Sequence, residues 1–399
     1  MIGSILKFSA IIKLAFIFLI FNFASAVSAK EEPILVLPMP IDAQWPAVKV
    51  LVNGKPARLV YDSGASKLVL FEQSFPSLKK QENGIERTNV FGGNQKADLQ
   101  KTNSVTLSYV GLDVKAEYVS LSDYSKTGFS DSGAPFFEGV QPPLKISDDK
   151  GERVLIFDAP NRAIKYLDAY ATPAFENASK FPLTRKGPDW HVKLPVRLGK
   201  ETEIRTLDFV VDTGAADGMI ITQKVQARVS KQAGYSGQRT GIGGTSDTVY
   251  AGRTQVSLGE KSVLIDTTVI EALPFEGDTD GLIGWGFLRR FRSGFDFENG
   301  YMWLDHSDAD FKDDKIRKPQ YSMGGVPMPD WNGMKITLNG RWSAAGLKIG
   351  DVLVSVDGVR LSSRVMYSEL RDSSDNPVIC WYESDANNEI CAKVPKGDD

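Results

Sequence analysis

A phrase that occurs twice constrains this chain more than any other feature. Leu59–Leu70 reads LVYDSGASKLVL, and Phe209–Ile221 reads FVVDTGAADGMII. Each time an apolar run meets an aspartate, turns through small residues and becomes apolar again. Matching landmarks then follow in the same order. An apolar residue precedes Gly-Gly in both copies, at Phe91-Gly92-Gly93 and at Ile242-Gly243-Gly244, and the two intervals from aspartate to glycine differ by one residue. Equal intervals lead on to Val105-Thr106-Leu107 and Val256-Ser257-Leu258. The copies close on similar phrases, IFDAPNRAIKYLD at Ile156–Asp168 and GFDFENGYMWLD at Gly294–Asp305. Four landmarks kept in order argue for two related lobes, residues 30–170 and 171–310.

The pattern inside each lobe is β. Short alternating or continuous apolar runs rich in Val, Ile, Leu, Phe and Tyr are separated by Gly, Asn, Asp and Pro. Val48–Val52, Asn53-Gly54 and Ala57–Tyr61 read as a hairpin that feeds the first aspartate. Lys193–Leu198 followed by Thr206–Val211 does the same for the second. The first lobe carries extra polar, turn-rich residues around Ser122–Asp149, which read as a surface excursion.

A carboxylate ending an apolar strand is costly if it stays alone and ionised. Two of them, brought face to face by related lobes, share one proton, because like charges so close cannot both ionise. Such a pair can deprotonate a water and return a proton to a leaving amide nitrogen. The neighbours suit that task. Gly64 and Gly214 allow close backbone approach and offer N–H groups to the carboxylates, while Ser63 and Thr213 offer hydroxyls to tie the two loops together. The Gly-Gly pairs suit the bends of hairpins closing over a substrate, or simply ordinary tight hairpins.

Asp62-Ser63-Gly64-Ala65 and Asp212-Thr213-Gly214-Ala215 resemble the active-site motifs of aspartic proteases, and the alanine after each glycine is closer to the retropepsin-like branch. Gly281-Leu282-Ile283-Gly284, followed by Phe287-Leu288, resembles the segment that packs behind the catalytic loop in that family. No similar phrase stands at the corresponding place in the first lobe's sequence. The resemblance covers residues 33–308. It implies a mainly β, bilobed pair of barrels with pseudo-two-fold symmetry, peptide-bond hydrolysis by activated water, a protein or peptide substrate, and no cofactor. A third Asp-Ser-Gly-Ala, at Asp131–Ala134, has polar approaches and no counterpart in the other lobe, and reads as a turn.

Beyond a charged linker (residues 311–320) the chain changes character. SAAGLKIGDVLVSVDG, from Ser343 to Gly358, resembles the signature of bacterial PDZ domains and marks a small α+β module over residues 321–399. Gly350-Asp351 and Asp357-Gly358 read as turns, and Val352, Val354 and Val356 alternate onto one face. The resemblance places a peptide-binding loop near Met323-Gly324-Gly325-Val326. The module would recruit peptides or serve as a spacer.

The remaining features bound the setting. Lys7 and Lys13, the apolar run Leu14–Phe23, and small residues before residue 30 read as a secretory signal over 1–29, removed on export to the periplasm or beyond, with no stable membrane span afterwards. A formal charge of −3 with 24% charged residues gives no basic surface for nucleic acid. The two cysteines, Cys380 and Cys391, flank a turn so that they would oppose one another across a hairpin, and export permits a disulfide. With two histidines in unrelated contexts, a zinc site or a His-activated nucleophile is poorly supported. The expectation is a monomeric exported aspartic endopeptidase without metal. The alternative is an inactive envelope protein that grips peptides without cutting them.

Overall fold

The computed structural model describes residues 33–39, 45–89, 96–127, 137–145, 147–148, 151–168, 178–198, 202–229, 235–241, 244–259, 261–271, 273, 278–305, 324–327, 333–338, 340–361, 376–383 and 388–395. The leader, the linker, Asp131–Ala134, Phe91-Gly92-Gly93, Ile242-Gly243 and Met323 lie outside them.

The architecture is mainly β and bilobed, as the patterning requires. Most strand pairings repeat between the lobes. Ala47–Val52 pairs antiparallel with Lys55–Tyr61, as Asp189–Leu198 does with Arg205–Asp212. The turn of the first of these hairpins holds Asn53 and Gly54 at φ 48° and 81°, the two left-handed positions that Asn-Gly adopts readily. Beyond each aspartate, Leu68–Phe71 and Met219–Thr222 re-enter the sheet, parallel to Val119–Ser122 and Lys261–Ile270 respectively. Each lobe also projects a long hairpin. The first is Lys80–Asn89 with Lys96–Thr102, and the second is Tyr235–Gly241 with Gly244–Leu258.

The closing phrases of the two copies meet. Val154–Asp158 pairs antiparallel with Arg292–Asp296, and each forms a hairpin with the strand after it, Ala163–Leu167 and Tyr301–Asp305. Leu35–Pro38 and Ala178–Lys186 add the outer strands. Among the described residues this makes a six-stranded antiparallel sheet with three strands from each half. Its two turns are built alike: Asp158 accepts from the Asn161 side chain at 2.9 Å, and Asp296 from that of Asn299 at 2.8 Å. A run of aromatic contacts ties this sheet to both lobes. Phe157 meets Tyr61, Trp285 and Phe295 at centroid distances of 6.1, 5.7 and 5.7 Å, all edge-on.

The excursion of the first lobe is not confined to the surface. Gly139–Gln141 runs inside the sheet, parallel to Lys55–Tyr61 and antiparallel to Leu68–Phe71. Gly281–Gly284 holds the same place in the second lobe. The counterpart missing from the sequence therefore exists, as Gly139-Val140-Gln141. Three residues are too few for periodicity to show. What survives is the glycine: a Cβ on Gly139 would stand 2.4 Å from the Val69 carbonyl oxygen, and one on Gly281 would stand 2.2 Å from that of Ile220.

The C-terminal unit has a core of its own, built on Met334, Ile336, Trp342, Leu347, Leu353, Val356, Ile379 and Trp381. The turn at Asp357-Gly358 is present, with φ of 48° and 77°. The alternation expected for Val352, Val354 and Val356 does not hold. An irregularity in pairing between Leu353 and Ser355 shifts the register, and the pair reaching the core is Leu353 and Val356. Gly324–Pro327, which includes Gly324, Gly325 and Val326, pairs with Met334–Leu338. The unit touches the second hairpin, where Gly237 pairs with Leu338. Cys380 and Cys391 are directly opposite in the final hairpin, 4.1 Å apart at Cα, and form a disulfide.

Candidate active site

Asp62 and Asp212 stand at corresponding strand ends and meet between the lobes. The Gly64 N–H donates to Asp62 Oδ1 at 2.7 Å, and the Gly214 N–H to Asp212 Oδ1 at 2.9 Å. Ala215 N–H adds a bond to Asp212 at 3.1 Å. Each glycine also faces the other lobe's aspartate. A Cβ on Gly214 would stand 2.3 Å from the Asp62 carboxyl carbon, and one on Gly64 would stand 3.1 Å from that of Asp212. Any side chain there would fill the space the partner carboxyl occupies.

Ser63 and Thr213 lock the two loops with four reciprocal bonds. Ser63 N–H donates to Thr213 Oγ1 at 2.9 Å, and Thr213 N–H donates to Ser63 Oγ at 3.0 Å. The hydroxyls in turn donate across to main-chain carbonyls, Ser63 Oγ to Val211 at 3.0 Å and Thr213 Oγ1 to Tyr61 at 2.7 Å. Each hydroxyl both donates and accepts, so these buried groups are satisfied without water.

Electrostatics follow from this enclosure. Asp212 is buried, and Asp62 keeps some surface exposed, yet the protein packed round its carboxyl removes most of its solvation. Burial holds Asp62 above the ordinary carboxylate range. Hydrogen bonds from the Asp212 side chain and from the N–H groups of Gly64, Gly214 and Ala65 pull it back. The outcome is a close carboxyl pair in which Asp62 keeps its proton to higher pH than a free aspartate.

The supports behind the two loops differ. Behind Asp212, Trp285 N–H donates to the Ala215 carbonyl at 2.7 Å and Gly286 N–H to that of Asp217 at 3.0 Å. In the first lobe Pro142 and Pro143 stand where Gly284 and Trp285 stand in the second, and they have no N–H to donate. Asp62 N–H donates to the Gln141 carbonyl at 2.8 Å. The buried hydroxyls of Tyr61 and Tyr166, bonded to one another, accept from Leu144 N–H at 2.8 and 3.0 Å. Tyr109 donates to Gln141 Oε1 at 2.6 Å. Burial holds the Tyr61 and Tyr109 hydroxyls well above the phenol range, so both stay neutral. The Tyr61–Tyr166 bond has no signal in the one-dimensional pattern, because a tyrosine's alternation marks burial and not its partner.

The other candidates lie apart. His191 is buried and faces Asp208 at 3.2 Å, and desolvation lowers its pKa. Among the described residues, the one metal-compatible grouping is Cys380, Glu389 and Cys391, whose two sulfurs are already bonded to each other. No helix of the described residues is long and apolar enough to cross a membrane.

Neither a protein-family model nor a curated protein matches the chain. Among solved structures, it is similar to the aspartic proteinase from Irpex lacteus, at 12% identity and a TM-score of 0.44, over 70% of this chain and 98% of that one. At that level of likeness the chemistry rests on the geometry of the two aspartate loops alone.

Proposed function

We propose that the protein is an exported aspartic-type endopeptidase in which Asp62 and Asp212 activate a water against a peptide bond. One observation carries this reading: two carboxyl groups from related loops face each other, with Ser63 and Thr213 cross-bonding the loops and Gly64 and Gly214 leaving room for the partner carboxyl. With one shared proton, the ionised carboxylate takes a proton from water while the other hydrogen-bonds the substrate carbonyl. The collapse of the tetrahedral intermediate then returns a proton to the leaving nitrogen. The alanines at 65 and 215 favour the retropepsin-like branch. The C-terminal unit reads as a PDZ-like module that recruits peptide along the Gly324–Pro327 strand by adding a strand to its sheet. Residues 1–29 read as the export signal, and the mature chain as a monomer.

The test is digestion of an unfolded protein by the purified chain across a pH series, with and without a statine-containing transition-state mimic. Cleavage that is strongest in acid and blocked by the mimic supports the reading. Peptide binding without cleavage, unchanged in Asp62→Asn, would replace it with the binding-protein alternative.

A further inference from the structure

Five residues beyond the first aspartate stands Lys67, on the loop that carries Asp62. Its ammonium lies 2.5 Å from Glu86 Oε1, on the first hairpin. Both ends are sheltered, with side chains 17% and 34% exposed. Glu86 opposes Leu99 across the hairpin, and Leu99 is fully buried, so Glu86 lies on the inward face. Its neighbour Ile85 is 72% exposed on the other face. Lys101, two residues beyond Leu99 on the same face, approaches Glu86 Oε2 at 3.9 Å. The corresponding position in the second lobe is Asp217, which cannot repeat this pairing with an acid. The second hairpin meets the C-terminal unit instead. The duplication has therefore kept the hairpins and divided their attachments.

We infer that Lys67 and Glu86 are positioning residues that hold the first hairpin against the Asp62 loop, so that an extended peptide is gripped on a preset surface at that side of the dyad. The inference rests on the peptidase reading for its catalytic consequence but not for the strap itself. The hydrogen bond from Lys67 lowers the Glu86 carboxyl below its ordinary value, so the pair stays charged into the acid range where a dyad of this kind works.

Lys67→Met, Glu86→Gln and the double variant test this in the full chain. Glu86→Gln is isosteric on a part-exposed side chain, so it keeps the question open to experiment if Lys67→Met fails to fold. Amide exchange across residues 80–102 should quicken in either single variant, with exchange in the second lobe unchanged. KM for a short peptide should rise about tenfold with kcat nearly constant, a size normal for coupled charged neighbours. The double variant should be no worse than either single, and Lys67→Arg should stay near wild type. A merely structural role would lower kcat through loss of folded protein and leave KM alone, and that result overturns the inference. So do additive effects or unaltered exchange in the hairpin. If the wild type binds the peptide without cutting it, the peptidase reading fails by itself. The Kd of that peptide and the exchange data then decide the strap.

Discussion

The residues of the dyad carry the sharpest expectations. Asp62→Asn and Asp212→Asn should each abolish turnover while the fold survives, and the double variant should lose little more, because the pair acts as a unit. Near-normal turnover in either single variant, measured on an unfolded protein substrate, would remove the assignment. Asp131→Asn serves as the control and should be close to silent. The same carboxyl makes a stability statement. The folded state raises the Asp62 pKa, so its contribution is fully present below the unfolded value and is lost as pH rises through the folded one. Asp62→Asn removes the cost of ionising a buried carboxyl, so at neutral pH the inactive variant should melt higher than the wild type. A melting point that fell would contradict the desolvation account. The catalytic rate should follow a bell on the acid side, with both limbs belonging to the pair. A rate that climbs steadily into alkali would point to another nucleophile.

At the scale of elements, Gly139–Gln141 and Gly281–Gly284 are the segments on which the aspartate loops rest. Gly139→Ala drives a methyl group toward the Val69 carbonyl, and overpacking of this kind costs about 1–3 kcal/mol. It should therefore depress the melting temperature and reduce activity together, because the strand next to Asp62 has to move. Gly111→Ala is the matching control: it has open space for a Cβ but a left-handed φ of 79°, so its cost is conformational and distant from the dyad. Full activity and stability in Gly139→Ala would mean that the first loop does not depend on this strand.

At the scale of the whole molecule, the C-terminal unit has its own core but pairs with the second hairpin, Gly237 opposite Leu338. Removal of residues from Tyr321 onward should spare hydrolysis of a short peptide and weaken that of a long unfolded chain. Collapse of short-peptide turnover would make the unit a structural part of the peptidase. The disulfide closes a short loop inside this unit, where the chain-entropy account gives about 3 kcal/mol at most. Reduction should accordingly lower the melting of the C-terminal unit in calorimetry and leave short-peptide hydrolysis unchanged. Simultaneous loss of activity would show that the Gly237–Leu338 contact transmits the damage.

Sequence alone determined the duplication, the β character of both lobes, the paired aspartates with their glycine and hydroxyl neighbours, and the cysteine hairpin. All of these are local patterns: an alternation, a turn chemistry or a repeated interval is written in consecutive residues. Tertiary structure decided what depends on contact between distant segments. The strand Gly139–Gln141 was hidden because three buried residues carry no period. The Val352–Val356 face was misjudged because an irregularity resets alternation without changing the residues. The Lys67–Glu86 pair and the Tyr61–Tyr166 hydroxyls join positions 19 and 105 apart in the chain, and no one-dimensional spacing specifies such a contact. The six-stranded sheet is the largest case. Its two halves were legible as similar phrases, but their pairing joins segments far apart in the chain, with Leu155, Phe157 and Phe295 packed into the core shared with the lobes and Val154, Ile156 and Trp303 in a separate cluster on the other face, and only the folded chain brings them together.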